Sequence, residues 1–146
     1  MERKPVLEYI ILIVVLIAAG VLFLQIKNQE INLCRYIFNG LTNRVYAAEK
    51  FIDWENLKAL DVDVGAFYTR LADEKDKGGY RKEFIRNFSV GFAKAGGRLN
   101  LFTNWRIWYR DSNKVIVAAD YSGYNKTILF TLSKFGKIKL TSIQWR

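Results

Sequence analysis

LNLFTNWRIWYR, residues 99–110, is where the chain changes period. Upstream, apolar residues recur every three or four positions. Here they alternate. Leu99, Leu101, Trp105, Ile107 and Tyr109 share one side, and Asn100, Asn104, Arg106 and Arg110 share the other, together with Phe102 and Trp108. A period of two is the mark of a strand with one face in a core. Three similar runs follow behind turn formers. Asp111-Ser112-Asn113 leads into KVIVAADY, Ser122-Gly123-Tyr124-Asn125 into KTILFTLS, and Lys134-Phe135-Gly136-Lys137 into IKLTSIQW. Strands joined by short turns predict a four-stranded antiparallel meander over residues 98–146.

Working backwards, YRKEFIRNFSVGFAKAGG (80–97) places Tyr80, Phe84, Phe88 and Phe92 four apart, with Ile85 alongside and Arg81, Lys82, Arg86 and Asn87 opposite. This is an amphipathic helix stopped by Gly96-Gly97. A one-layer sheet must cover its apolar face, and this Phe-rich helix is the natural cover. Further upstream, Asp53 caps a predicted helix in FIDWENLKAL, with Glu55 in its first turn, and Asp63 caps another that Gly78-Gly79 would stop. Leu33, Ile37 and Leu41 are four apart, with Cys34 and Phe38 beside them. They predict a helix reaching Asn39-Gly40, either continuous with the segment before it or restarted near Asn28. A further helical piece is predicted from Leu41 to about Phe51.

That preceding segment is YIILIVVLIAAGVLFLQI (9–26), eighteen residues without a charge. As a helix it is about 27 Å long, close to the hydrocarbon thickness of a bilayer. Val6 and Leu7 extend it past Glu8, and Pro5 suits a first helical position. A cleaved signal would end at a small-residue site, but the apolar run continues beyond Ala18-Ala19-Gly20 through Val21, Leu22, Phe23 and Leu24. A retained anchor is therefore expected. The predicted organisation is a basic tail at 1–5, a transmembrane helix at 6–27 and one α+β domain at 28–146, with helices at 28–95 and the sheet at 98–146. About 119 residues after the anchor suffice for one hydrophobic core. Arg3, Lys4 and the terminal amine precede the span; Lys27, Arg35 and Arg44 follow it. The compact N-terminal cluster favours a cytoplasmic N-terminus with the domain outside the cytoplasm.

Helices first, then a meander sheet, resembles the cone-shaped α+β fold of the nuclear-transport-factor-2-like superfamily over roughly Asn28 to Arg146. The resemblance rests on element order. Membrane-anchored members occur among type IV secretion and conjugation scaffolds, which implies a tethered assembly domain. Enzymes of that superfamily usually place polar pairs, often His and Asp, inside the cone, and this chain contains no histidine.

The lack of histidine removes Ser-His-Asp and Cys-His machinery and every histidine-ligated metal. No catalytic motif and no cofactor is expected. Cys34 is the only cysteine, so no intramolecular disulfide forms, and INLC lacks the small residue that precedes a lipidated cysteine. Asp61 with Asp63, and Asp73 with Glu74 and Asp76, lack the regular ligand series of a calcium loop. Charge is uneven: from Arg98 onward nine Lys or Arg face two acids, against eleven and ten from Asn28 to Gly97. A sheet face bearing Arg106, Arg110, Lys126, Lys137 and Lys139 is a candidate contact for anionic lipid or an acidic partner. Phe102, Arg106, Trp108 and Arg110 are the candidate partner-binding residues. Stacking on nucleic acid is not expected, because alternation sends Trp105 and Tyr109 to the core. Asp120, the lone acid in VIVAADY, is the candidate functional acid; its plainer role is a strand-end group bonded to backbone or paired with an arginine. The leading reading is a non-enzymatic scaffold at the cell envelope that binds a protein partner or itself. Two others compete: a pilin-like filament subunit, although no glycine ends a short leader before the apolar run, and a cone-fold small-molecule binder or enzyme.

Overall fold

The computed structural model describes residues 4–146. Arg3 lies outside the described residues, as do the side chains of Lys4 and Lys27; of the charges flanking the span, Arg35 and Arg44 are described.

Helix α1 (Lys4–Lys27) carries the apolar run, and α2 (Gln29–Asn43) follows after Asn28. Among the described residues one helix is long and apolar enough to cross a membrane, Val6–Leu24, and none of it is buried within the chain. The hydrogen-bond ladder continues through the junction: the Asn28 amide donates to the Leu24 carbonyl at 3.1 Å and the Asn32 amide to the Asn28 carbonyl at 2.9 Å. The two alternatives for this junction thus merge, with two helices abutting across one loosened residue.

α2 runs past Asn39-Gly40 to Asn43 and closes on Arg44 in the left-handed region (φ 59°). Gly40 is there for close approach and not for termination. A Cβ at this position would collide with the Ala48 side chain in the 3-10 helix Tyr46–Phe51. No helix forms after Asp53. That stretch instead supplies β1 (Lys58–Ala59) and β2 (Val62–Asp63), paired antiparallel. Leu60 (φ 49°) and Asp61 (φ 70°) make the tight turn between them. Two successive positive φ values suit a primed hairpin turn, whose sequence signature is Asn-Gly or Asp-Gly. Leu-Asp hides it.

Asp63 does cap a helix, the short α3 (Val64–Tyr68), by accepting from the Ala66 amide at 3.0 Å. α4 (Glu74–Lys94) is capped by Asp73, whose carboxylate accepts from the Asp76 amide at 2.8 Å. It passes straight through Gly78-Gly79. A helical glycine costs about 1 kcal/mol relative to alanine, and the cap together with the packed Tyr80 and Phe84 outweighs it. A Cβ at Gly79 meets nothing within 4 Å. Gly79→Ala should therefore raise stability by about 1 kcal/mol, read as an increased urea midpoint at unchanged slope. A decrease would mean the glycine is required there.

The sheet holds β3 (Phe102–Arg110), β4 (Lys114–Tyr121), β5 (Lys126–Ser133) and β6 (Lys139–Trp145) as the expected antiparallel meander. It is larger than four strands. β1 adds beside β6 in parallel, giving a six-stranded mixed sheet in the order β2-β1-β6-β5-β4-β3. Leu99 and Leu101 belong to a 3-10 turn ahead of β3.

The helix lying directly on the sheet is α2, with α4 packed against it. Cys34, Ile37, Phe38 and Leu41 of α2 are buried, whereas α4 buries only Ile85 completely. Phe38 is the hub of the core. Its ring meets Phe102 (4.8 Å between centroids) and Phe130 (5.2 Å) on the sheet and Phe92 (5.7 Å) and Phe88 (6.4 Å) on α4. Ser89 of α4 donates to the Thr42 carbonyl at 2.9 Å and locks the two helices at that end.

Candidate functional site

Two bulges in β3 decide where the candidate residues point. Thr103 pairs with Asp120 and Arg106 with Ala118, so Asn104 and Trp105 face Ala119 alone. Asn104 takes φ 54°, the left-handed residue that such a bulge needs. Ile107 then pairs with Val117 and Tyr109 with Ile116, leaving Trp108 as a second extra residue. Each bulge reverses the in-out alternation.

The first bulge corrects the reading of Phe102. It is no surface residue: it is 5% exposed, opposite Tyr121, with its ring stacked on Tyr121 at 4.6 Å. The second exchanges Tyr109 and Arg110. Tyr109 faces solvent, and Arg110 turns to the helix side, where its guanidinium reaches Glu30 of α2 at 3.2 Å. The five cations expected on one sheet face are dispersed. Arg106 stays on the outer face, Lys126 lines a pocket at one end of the sheet, and Lys137 and Lys139 line a groove with Gln29 and Leu33 of α2.

Among the described residues no helix packs on the outer face, which keeps Arg106, Trp108 and Asp120 and gains Arg146. Asp120 anchors it. Its carboxylate accepts from Asn104 Nδ2 at 2.9 Å, Arg106 Nη2 at 3.1 Å and Thr127 Oγ1 at 3.1 Å. The Asn104 amide first, then the Arg106 guanidinium, hold this carboxyl below its usual range. A general acid needs the opposite shift. Asp120 is an ionised brace that fixes the first bulge. Its share of stability is present above about pH 4, the unfolded value, and is lost as pH falls through the depressed folded value.

Above this brace, two guanidiniums lie close over the Trp108 ring. Arg146 Cζ is 4.5 Å and Arg106 Cζ 5.5 Å from the indole centroid. Trp108 starts on the edge strand β3 and Arg146 follows β6, three strand spacings or about 14 Å away. The two side chains must therefore meet above β4 and β5. Ala118 and Leu129 sit there, opposite each other and facing away from the helices. Both are buried on this helix-free face, at 0% and 6% exposure. Trp108 itself remains 41% exposed. The patch offers an indole, two flanking cations and a floor of small apolar groups. It suits an acidic or aromatic partner group. Among the described residues Arg146 has no carboxylate partner, whereas Arg106 is held by Asp120. Sequence reasoning overlooked Arg146; only its pairing with Thr127 brings it onto this face.

A second concavity of about 290 Å³ lies at the far end of the sheet. It is lined by Phe92, Phe102, Tyr121, Tyr124 and Trp145, with Lys126 at its rim. Among the described residues no three His, Cys, Asp or Glu side chains gather as metal ligands. Cys34 is fully buried, and burial, reinforced by the nearby Glu30 carboxylate, pushes its thiol far up. It is inert packing in the folded chain.

The chain matches no protein-family model, no curated protein and no solved structure.

Proposed function

We propose that the chain is a single-pass membrane protein whose α+β domain, outside the cytoplasm, is a non-enzymatic docking module at the cell envelope, akin to the anchored cone-shaped scaffold domains it resembles. The observation carrying this reading is the Arg106–Trp108–Arg146 stack on a sheet face without helices. Partly exposed tryptophan and arginine over a dry floor are the residue types that dominate binding energy at protein interfaces. The partner is a protein with an acidic or aromatic contact group, or a second copy meeting face to face. Pairing through the β3 edge is disfavoured, because two bulges and Arg110 break its ladder.

The test places a photo-crosslinking phenylalanine analogue at Trp108, and separately at the exposed Lys75, in the full chain in its membrane. A discrete adduct from position 108, lost in Arg146→Glu and lacking at position 75, is expected. Its mass distinguishes self-association from a partner. Equal adducts from both positions, or none from either, would count against docking through this face.

The small-molecule alternative draws on one observation, the aromatic pocket bounded by Tyr121, Trp145 and Lys126.

A further inference from the structure

The end of the domain that adjoins α1 is basic, and its cations come from segments far apart in sequence. In an up-and-down meander the β3–β4 and β5–β6 turns lie at one end, and here they touch: the Lys134 amide donates to the Asn113 carbonyl at 2.8 Å. The same end receives the first turn of α2. Arg110 bonds Glu30, and Lys50, Lys137 and Lys139 share a groove with Gln29 and Leu33. With Lys114 and Lys134, six cations gather there. The acids near them have other partners: Glu30 pairs with Arg110, Asp111 accepts from the backbone amides of Asn113 and Lys114, Glu49 faces Arg81 and Asp53 accepts from Asn56. At the tip of the β5–β6 turn, between Lys134 and Lys137, Phe135 is 76% exposed.

The distance to the apolar run is short. The run ends at Leu24, and the ladder continues through Asn28, so helical rise puts Gln29 about 8 Å beyond it. The headgroup layer on each side of a bilayer is about 5–8 Å thick. Groups packed on the first turn of α2 therefore sit at headgroup height if α1 spans.

We propose that this rim, Lys50, Arg110, Lys114, Lys134, Lys137 and Lys139 around Phe135, docks the domain onto anionic phospholipid headgroups of the bilayer that holds α1. The inference rests on the anchor reading. It assigns lipid to this end and leaves the Trp108 face for protein. The cations are drawn to anionic headgroups by charge, and Phe135 enters the interface as an aromatic wedge.

The experiment uses the full chain in vesicles of phosphatidylcholine alone or mixed with phosphatidylglycerol. In a Cys34→Ala background, an environment-sensitive fluorophore is attached at Phe135→Cys or, at the opposite end, Tyr124→Cys. Headgroup-proximal spin-labelled lipid is the quencher. Expected is quenching several-fold stronger at 135 than at 124, greater with phosphatidylglycerol, and reduced towards the 124 level by Lys134→Glu with Lys137→Glu. Quenching at 135 no greater than at 124, or indifferent to phosphatidylglycerol, overturns the lipid contact. Carbonate extraction of the same vesicles distinguishes the two failures. A retained chain with an unquenched label sinks only this inference, and an extracted chain sinks the anchor and the inference with it.

Discussion

Phe38→Ala should lower the unfolding free energy by about 4 kcal/mol, within the range for removing a buried aromatic ring. The size follows from position. Phe38 is 1% exposed and stands between the sheet and α4, touching aromatic rings on both. Its neighbours are large and mutually braced, Phe102 against Tyr121 and Phe130 against Trp105, so the cavity cannot collapse cheaply. Domains of this size hold about 5–15 kcal/mol in total. The loss should show as a urea midpoint shifted strongly down, with near-ultraviolet dichroism weakened before secondary structure. A change under about 1 kcal/mol would mean that α2 is not the central helix.

Ile13→Arg with Ile17→Arg should release the chain from the membrane while leaving the domain folded. The two positions lie one turn apart in α1, are 55% and 62% exposed, and touch nothing in the domain. An arginine at the centre of a span costs about 3 kcal/mol by insertion scales, so the pair costs about 6 kcal/mol. The measurement is partition between carbonate-resistant pellet and supernatant. Near-ultraviolet dichroism of the released protein should match the parent. An unchanged pellet would argue that α1 is not held by lipid.

Much of this architecture was legible because it rests on periodicity. The apolar runs KVIVAADY and KTILFTLS between turn formers give β4 and β5, and the four-residue spacing from Leu33 to Leu41 gives α2. The failures share a cause: a residue type standing in for an unusual backbone state. Leu60-Asp61 makes a turn normally written with glycine, so a hairpin read as a helix. Gly40 and Gly78-Gly79 read as stops, although one serves helix contact and the others are carried by a strong cap. Asn104 in the left-handed region gave no signal of a bulge, and that single residue moved Phe102 from the surface to the core. Of the site, Arg106, Trp108 and Asp120 were legible as polar or aromatic exceptions in apolar strands. Arg146 was not, because its approach to Trp108 depends on sheet order.

The most direct test of an anchored domain outside the cytoplasm uses Lys75→Cys in a Cys34→Ala background. Position 75 is exposed at the start of α4, whereas the native thiol at Cys34 is buried. Intact cells producing the full chain are treated with a membrane-impermeant maleimide. The account predicts labelling at position 75 without lysis, and none of the parent chain until it is unfolded. Labelling at position 75 only after lysis would place the domain in the cytoplasm and contradict it.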